Sequence, residues 1–475
     1  METQQNTPES ARWGLPLEEI LGLEDRLCEY YARYRVWTLT QTDDTSEYGF
    51  HYLSSLMRME TKRTMAGIAR VSGVAVQNMQ QFISDSPWSG PHLIGALQNE
   101  IKAHPAYAEG SMLIIDESAD EKSGDTSAGA GRQRNGRLGK VDMCQVGVFL
   151  SLTNNGHQTW IDGELYVPEA WFAPENAEKY KRIGLPEGQV FQTKLDLALK
   201  TVKQACDNGI PFDAIDCDSF YGRAGWFRDQ LDQLGVEYYA DVPKNTQVYL
   251  KKPTVYCPQT KDGKPAKNHK VVGTPYSVKE FSYLACTKWE TFTLRPSERG
   301  MLKADFARHR VWTVDPDGTL RQEWLLMRRD PSQITYSMSN ACLNTSLFTM
   351  AQRKSQRFFI ERTNQDAKSE LGWDEFQAIK YRAWQHHLAF TILASWFITE
   401  TQLAWAADHP RDPLLLEQYE IDVLPNLSMA NVRTLLRAVM PLPQLSPLEA
   451  AALVVEHLDN RTRSRKSRLR KLSEP

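Results

Sequence analysis

Three carboxylates carry the strongest chemical signal in this chain. In "SMLIIDESADEKSG", residues 111–124, four apolar residues run straight into Asp116, followed by Glu117 and Asp120. "FDAIDCDSFYG", residues 212–222, repeats the pattern with Asp213, Asp216 and Asp218, and Asp218 stands last before a turn into a helix. Strand alternation sends Ile215, Cys217 and Ser219 to one face and Asp216 with Asp218 to the other. Strand ends hold side chains rigidly and open onto clefts, so acids there suit metal coordination. A solvated turn is the plainer reading of either segment alone.

The third acid is Glu361, in "RKSQRFFIERTNQDAKSELGW", residues 353–373. Read as one helix, this stretch puts Glu361 about 40° and Lys368 about 20° around the axis from Arg357. Arg357, Glu361, Asn364 and Lys368 then share one polar stripe. An acid flanked by bases suits a phosphate-handling Mg²⁺ site, because Mg²⁺ takes oxygen ligands and cations hold phosphates. An i,i+4 surface ion pair is the alternative.

These residues need a scaffold, and the chain changes character along its length. Residues 1–108 read as a polar lead followed by helices. Within them "RTMAGIARVSGVAVQNMQQFI", residues 63–83, sets Ala69, Gly73 and Met79 at helix-turn-helix spacing. Its second half is placed to enter a major groove; an ordinary helical hairpin has the same pattern. Residues 109–243 give three strands, then alternating helices and strands, which indicates a mixed sheet covered on both faces. Residues 244–340 turn β-rich, with many Pro, Gly and aromatics, and read as an inserted subdomain. Residues 341–408 return to helix, and 409–475 hold further helix and a basic tail. The expected class is multidomain α+β.

Bulk properties exclude some functions. A chain of 475 residues can bury at least one large core. Formal net charge is −3, yet "RTRSRKSRLRK", residues 461–471, carries seven bases and no acid. That asymmetry suggests a polyanion partner; a solvated disordered end is the bland alternative. Seven scattered cysteines with no C-x-x-C argue against a zinc module and a disulfide framework. The N-terminus lacks a signal-like apolar run, and "LAFTILASWFI", residues 388–398, is too short to span a bilayer. A cytoplasmic protein with no membrane partner is expected.

Taken together, Asp116 after a strand, D-x-x-Y-G at Asp218 to Gly222, and R-x(3)-E-x(6)-K at Arg357, Glu361 and Lys368 resemble the DDE transposases of bacterial insertion sequences. "GKVDMCQVGVFL", "EWLLMRR" and "KSELGWDEF" extend the likeness over most of the chain, which is most similar to the insertion sequence 701 group. The resemblance implies a helical N-terminal DNA-binding domain and a ribonuclease-H-like catalytic domain, interrupted by a β-strand insertion before its last acidic helix. It implies Asp116, Asp218 and Glu361 as catalytic residues and ligands of two Mg²⁺ ions, with Mn²⁺ able to substitute. Arg357 and Lys368 would contact phosphates or the transposon end. Such motifs begin with Tyr three residues before the Arg; here that position is Lys354, another base expected near DNA. Double-stranded DNA is the implied partner, met by a homodimer or larger synaptic assembly.

Further DNA contacts are expected from "GAGRQRNGRLGK", residues 129–140, whose glycine-rich loop carries Arg132, Arg134, Arg137 and Lys140. Tyr221 joins this set. The resemblance also implies that an aromatic of the β insertion stabilises a flipped base, and Trp324, Trp289 and Trp312 are candidates, although filling the insertion's own core is the plainer reading of any one of them. His386 and His387, alone on an apolar helix, read as packing residues. Two other classes remain open: a transposase-derived DNA-binding protein without chemistry, and a nuclease of the same fold that does not transpose.

Overall fold

In the computed structural model, residues 9–473 are described apart from 137, 260, 261, 263, 265, 267, 268, 285, 298 and 299. Arg137 therefore lies outside the described residues. The first strands are β1 (Met112–Glu121), β2 (Gly131–Asn135), β3 (Lys140–Asn154), β4 (His157–Tyr166), β5 (Ala214–Cys217) and β6 (Tyr238–Asp241). β1 runs antiparallel to β3 and parallel to β5, β5 is parallel to β6, and both β2 and β4 pair with β3.

The β-rich segment supplies β7 (Gln247–Tyr249), β8 (Thr254–Tyr256), β9 (Lys270–Val272), β10 (Pro275–Ser277), β11 (Glu290–Ser297), β12 (Gly300–Val314), β13 (Leu320–Arg329) and β14 (Ile334–Ser339). Apart from the separate β8–β9 ribbon, these strands do not stand apart. β14 pairs with β6, so residues 244–340 extend the first sheet into a mixed sheet of 12 strands. The join is reinforced under the sheet. Glu323 of β13 takes Arg228 at 2.8 Å, Tyr238 Oη at 2.7 Å and Thr313 at 2.7 Å, all buried.

Alternation sorts the central strands into two faces. Leu113, Ile115, Ile215, Cys217, Tyr238 and Ala240 enter the larger core. The helix Lys194–Asp207, closed at its start by a Thr193–Asp196 capping box, packs against β3 and β4. On the opposite face Met112, Ala214 and Tyr239 cluster with Met350 and Ala351 of the helix Leu347–Ser355. The same parity places Asp116, Asp216 and Asp241 on that second face.

The expected single helix over 353–373 is two helices. Leu347–Ser355 ends, Gln356 and Arg357 form a turn, and Phe358–Ser369 begins. The two pieces dock on different strands, the first against β11 and β12 and the second against β1, β3 and β4. Arg357 therefore sits at the break rather than on a continuous stripe with Glu361.

The N-terminal helices share a core with the sheet. Ser46–Arg58, Val76–Ser84 and Gly90–Ala103 pack around the long helix Tyr381–Asp408. That helix is apolar on nearly every side and is buried accordingly. Among the described residues no helix is long and apolar enough to cross a membrane. His387 lies inside it, stacked on Trp373 and Phe376 with Nδ1 2.8 Å from Tyr52 Oη, and burial pushes its pKa down to about 3. His386 stacks on Trp88. Met65–Ser72 and Val76–Ser84 form the helix-turn-helix shape, with Gly73 at φ +73°, a left-handed turn that favours glycine. Ala69 and Met79 face inward, while Gln77, Asn78, Gln80 and Gln81 are exposed. The basic tail continues a helix, Pro447–Ser473, rather than a disordered end.

Candidate active site

Strand register builds the site. β1 and β5 last pair at Ile115 with Cys217, and β5 and β6 at Cys217 with Ala240. One residue further on, Asp116, Asp218 and Asp241 stand in a row where the parallel pairing stops. Asp218 follows β5 and Asp241 closes β6, whereas Asp116 lies mid-strand, because β1 does not end there as expected but runs on to Glu121, paired with β3. Asp216, one alternation earlier on β5, lies beneath that row with no solvent exposure.

Asp116 accepts the Glu117 amide at 2.9 Å and the Asn364 side-chain amide at 3.2 Å. Burial, then the neighbouring Asp218 carboxylate, pushes its pKa up to about 7. Asp218 caps the helical turn Ser219–Gly222, with Oδ1 accepting from the Phe220 amide at 2.8 Å. Burial likewise raises Asp216 to about 7.

Cations answer this negative charge from the helical side. Lys354 Nζ is 2.8 Å from Asp216 Oδ1 and 2.7 Å from Asp241 Oδ1. Arg357 approaches Asp241 Oδ2 at 3.4 Å and Asp216 at 4.0 Å. Burial opposes the guanidinium's charge, but Asp241, Asp216, Asp116 and Asp218 together hold its pKa above the usual value. Arg357 also lines a cleft of about 300 Å³ with Asp218, Ser219, Asp241, Lys244 and Tyr336.

Glu361 occupies the first turn of Phe358–Ser369 and is exposed. Among the described residues no group of three or more His, Cys, Asp or Glu is arranged to hold a metal ion. Asn364, one turn on, faces the strands: it donates to Asp116 and accepts the Trp160 indole N–H at 3.0 Å. Lys368 reaches the Ala119 carbonyl at 2.6 Å and Asp120 at 3.1 Å, fastening the helix to β1.

Two residues expected at DNA are turned inward. Lys354 is 5 % exposed and its ammonium is held between two acids. Tyr221 is fully buried because the turn after Asp218 folds its ring into the core, and its hydroxyl donates to Glu117 Oε2 at 3.1 Å. Glu117 also takes Lys194 at 3.1 Å. The tryptophans carry cations on their faces. Trp324 meets Arg308 at 4.3 Å and Arg310 at 5.2 Å, Trp289 meets Arg329 at 4.5 Å, and Trp312 meets Lys252 at 5.1 Å. The glycine-rich loop is a hairpin instead, with Arg132 and Arg134 exposed at alternate positions of β2. Lys140, also exposed, pairs with Asp142 at 3.0 Å.

Asp241 and Asn364 complete the surroundings of the acids, and neither stood among the expected site residues. The signal for Asp241 was present: "EYYADVP" carries a strand into acid, as the segment of Asp218 does. Asn364 lay on the polar stripe but drew no role there.

Residues 38–301 match the DDE superfamily endonuclease family, a segment that holds Asp116, Asp218 and Asp241 but ends before Glu361. The chain is also 24 % identical over 372 residues to the probable transposase for insertion sequence element IS701 of Microchaete diplosiphon, covering 77 % of this chain and 84 % of the relative. With Asp116, Asp218 and Asp241 in register on adjacent strands and more than half of its length matched, the chain belongs to the DDE superfamily of endonucleases.

Proposed function

We propose that this protein is a DNA transposase, cutting at the terminal inverted repeats of its own element and joining the freed 3′-OH ends to target DNA. The observation that carries the reading is the juxtaposition of Asp116 and Asp218 beneath the helix that bears Glu361, Asn364 and Lys368. The description of the IS701 relative supports it. The strand order β4–β3–β1–β5–β6, with β1, β5 and β6 parallel, supports a ribonuclease-H-like catalytic domain.

Asp116 and Asp218 fit a divalent cation, being adjacent acids of which Asp116 is pushed up to about 7 by burial and then by the Asp218 carboxylate. Glu361 is the third ligand in this reading, reached from the turn next to Asn364. Bound Mg²⁺, two ions per site, supplies Lewis acidity at the scissile phosphate and acidifies the attacking water or 3′-hydroxyl. The chain's own groups do the rest. Asn364 and the Glu117 amide orient the Asp116 carboxylate, and Asp218 is fixed by the amides it caps. Arg357, at the mouth of the cleft, meets a phosphate oxygen, and Arg132, Arg134 and Lys140 follow the DNA backbone. A flipped base on Trp324 would displace Arg308 or Arg310. Two chains, or more, assemble on paired ends.

The test is incubation of purified protein and Mg²⁺ with a plasmid carrying the gene's native flanking DNA. Cleavage at both ends with strand-transfer products, absent in Asp218→Asn, is expected. The exposed Glu361 favours one competing reading, a DNA-binding descendant without chemistry, which predicts binding and no nick. Cutting without joined products would mark a nuclease.

A further inference from the structure

The buried ion cluster below the strand ends carries a consequence for metal binding. Lys354 Nζ is shared by Asp216 Oδ1 and Asp241 Oδ1 at 2.8 and 2.7 Å. Ser337 Oγ donates to the same Asp241 oxygen at 2.6 Å. Asp216 Oδ2 is buried with no hydrogen-bond partner among the described residues. Two oxygens that converge on one nitrogen at these distances can converge on one divalent ion, whose oxygen ligands lie at roughly 2.0–2.6 Å. The place also opens to the reaction cleft, because Asp241 lines it together with Asp218.

We propose that the Lys354 ammonium fills a latent cation site formed by Asp216 and Asp241, and so confines divalent-ion binding to the adjacent Asp116–Asp218 pair. The inference rests on the metal reading above and deepens it. Strand register leaves three acids side by side, Asp116, Asp218 and Asp241, with a fourth beneath. A divalent ion would otherwise have several competing sets of ligands within one cleft. Lys354 covers two of the four from the end of its helix, and Arg357 supports it on Asp241. The lysine is thus a positioning residue, acting on where the ion goes rather than on DNA.

The experiment counts Mn²⁺ bound to metal-freed full-length protein, by paramagnetic resonance of the free ion, and follows thermal unfolding with and without Mn²⁺. Lys354→Met is expected to take up one more Mn²⁺ per chain than the wild type, and to gain more thermal stability from it. Adding Asp241→Asn should remove that extra ion. Lys354→Ser, which leaves room for an ion and a water, is the second variant. Unchanged stoichiometry in both variants, or an extra ion that survives Asp241→Asn, would overturn the proposal. So would failure of both to fold in Mn²⁺, since the vacated place would then not accept the ion. Asp218→Asn separates the two claims: it should weaken or abolish binding of the wild-type ions but leave the ion gained by Lys354→Met.

Discussion

Asn364 holds Asp116 by a side-chain hydrogen bond of 3.2 Å while its own carbonyl is fixed by the Trp160 indole. This contact joins the helix Phe358–Ser369 to β1 and fixes one oxygen of the Asp116 carboxylate. Glu361 lies one turn towards the helix start on the same stripe, so the Asn364 anchor also determines how far Glu361 stands from Asp116.

Loss of that anchor should therefore slow the chemistry without unfolding the protein. Asn364→Ala is expected to lower the single-turnover cleavage rate roughly tenfold, the equivalent of about 1.4 kcal/mol, with DNA affinity unchanged. Single-turnover kinetics beside an anisotropy titration would check it. An unaltered rate would remove Asn364 from the site.

Asp116 makes the metal-free protein sensitive to alkali. Its folded pKa of about 7 lies above the ordinary carboxylate value, so the unfolded chain releases this proton first as pH rises. Stability from the protonated form is complete below about pH 4 and is lost as pH climbs through 7. Asp116→Asn keeps the neutral form, and in a chelator it should raise stability on the order of 2–4 kcal/mol at pH 8 and far less at pH 4.5. Calorimetric melts at the two pH values provide the comparison; an equal shift at both would contradict it.

Much of this arrangement was legible in the sequence. The apolar runs before Asp116 and Asp218 located β1 and β5, although β1 continues past Asp116 to Glu121, and the helix-turn-helix spacing at Ala69, Gly73 and Met79 fell where the structure has it. What escaped is tertiary. Periodicity on one helix cannot show that Lys354 and Arg357 turn towards β5 and β6 while Asn364 and Lys368 turn towards β1. That division breaks the helix at Gln356–Arg357. Nor can local pattern show that β14 pairs with β6, which makes the β-rich segment part of the first sheet.

The shared sheet has a stability consequence. Arg228 and Glu323 form a buried pair, 4 % and 2 % exposed, that bridges the helix Gly225–Gln233 and β13. Glu323→Ala strands a buried guanidinium and leaves Tyr238 and Thr313 without their acceptor. A loss of about 3–5 kcal/mol is expected. Urea unfolding should show one cooperative transition shifted as a whole. Melting of residues 244–340 alone, seen by hydrogen exchange, would mean the segment is an independent unit.

The exposed face of β2 should contribute to DNA affinity through charge. Replacing Arg132 and Arg134 together by Ala is expected to weaken binding and to reduce the slope of log K against log salt by about 2. Titrations between 50 and 200 mM salt would measure it. An unchanged slope would place the hairpin away from the DNA.

The most direct test of the account is excision in cells. The gene with its native flanking DNA is placed on a plasmid, and donor junctions are sequenced after expression of the wild type, Asp116→Asn, Asp218→Asn and Glu361→Gln at matched levels. Precise excision is expected from the wild type alone, with all three variants still binding DNA. Excision by any of the three at the wild-type level would contradict the assignment of Asp116, Asp218 and Glu361 as the catalytic acids.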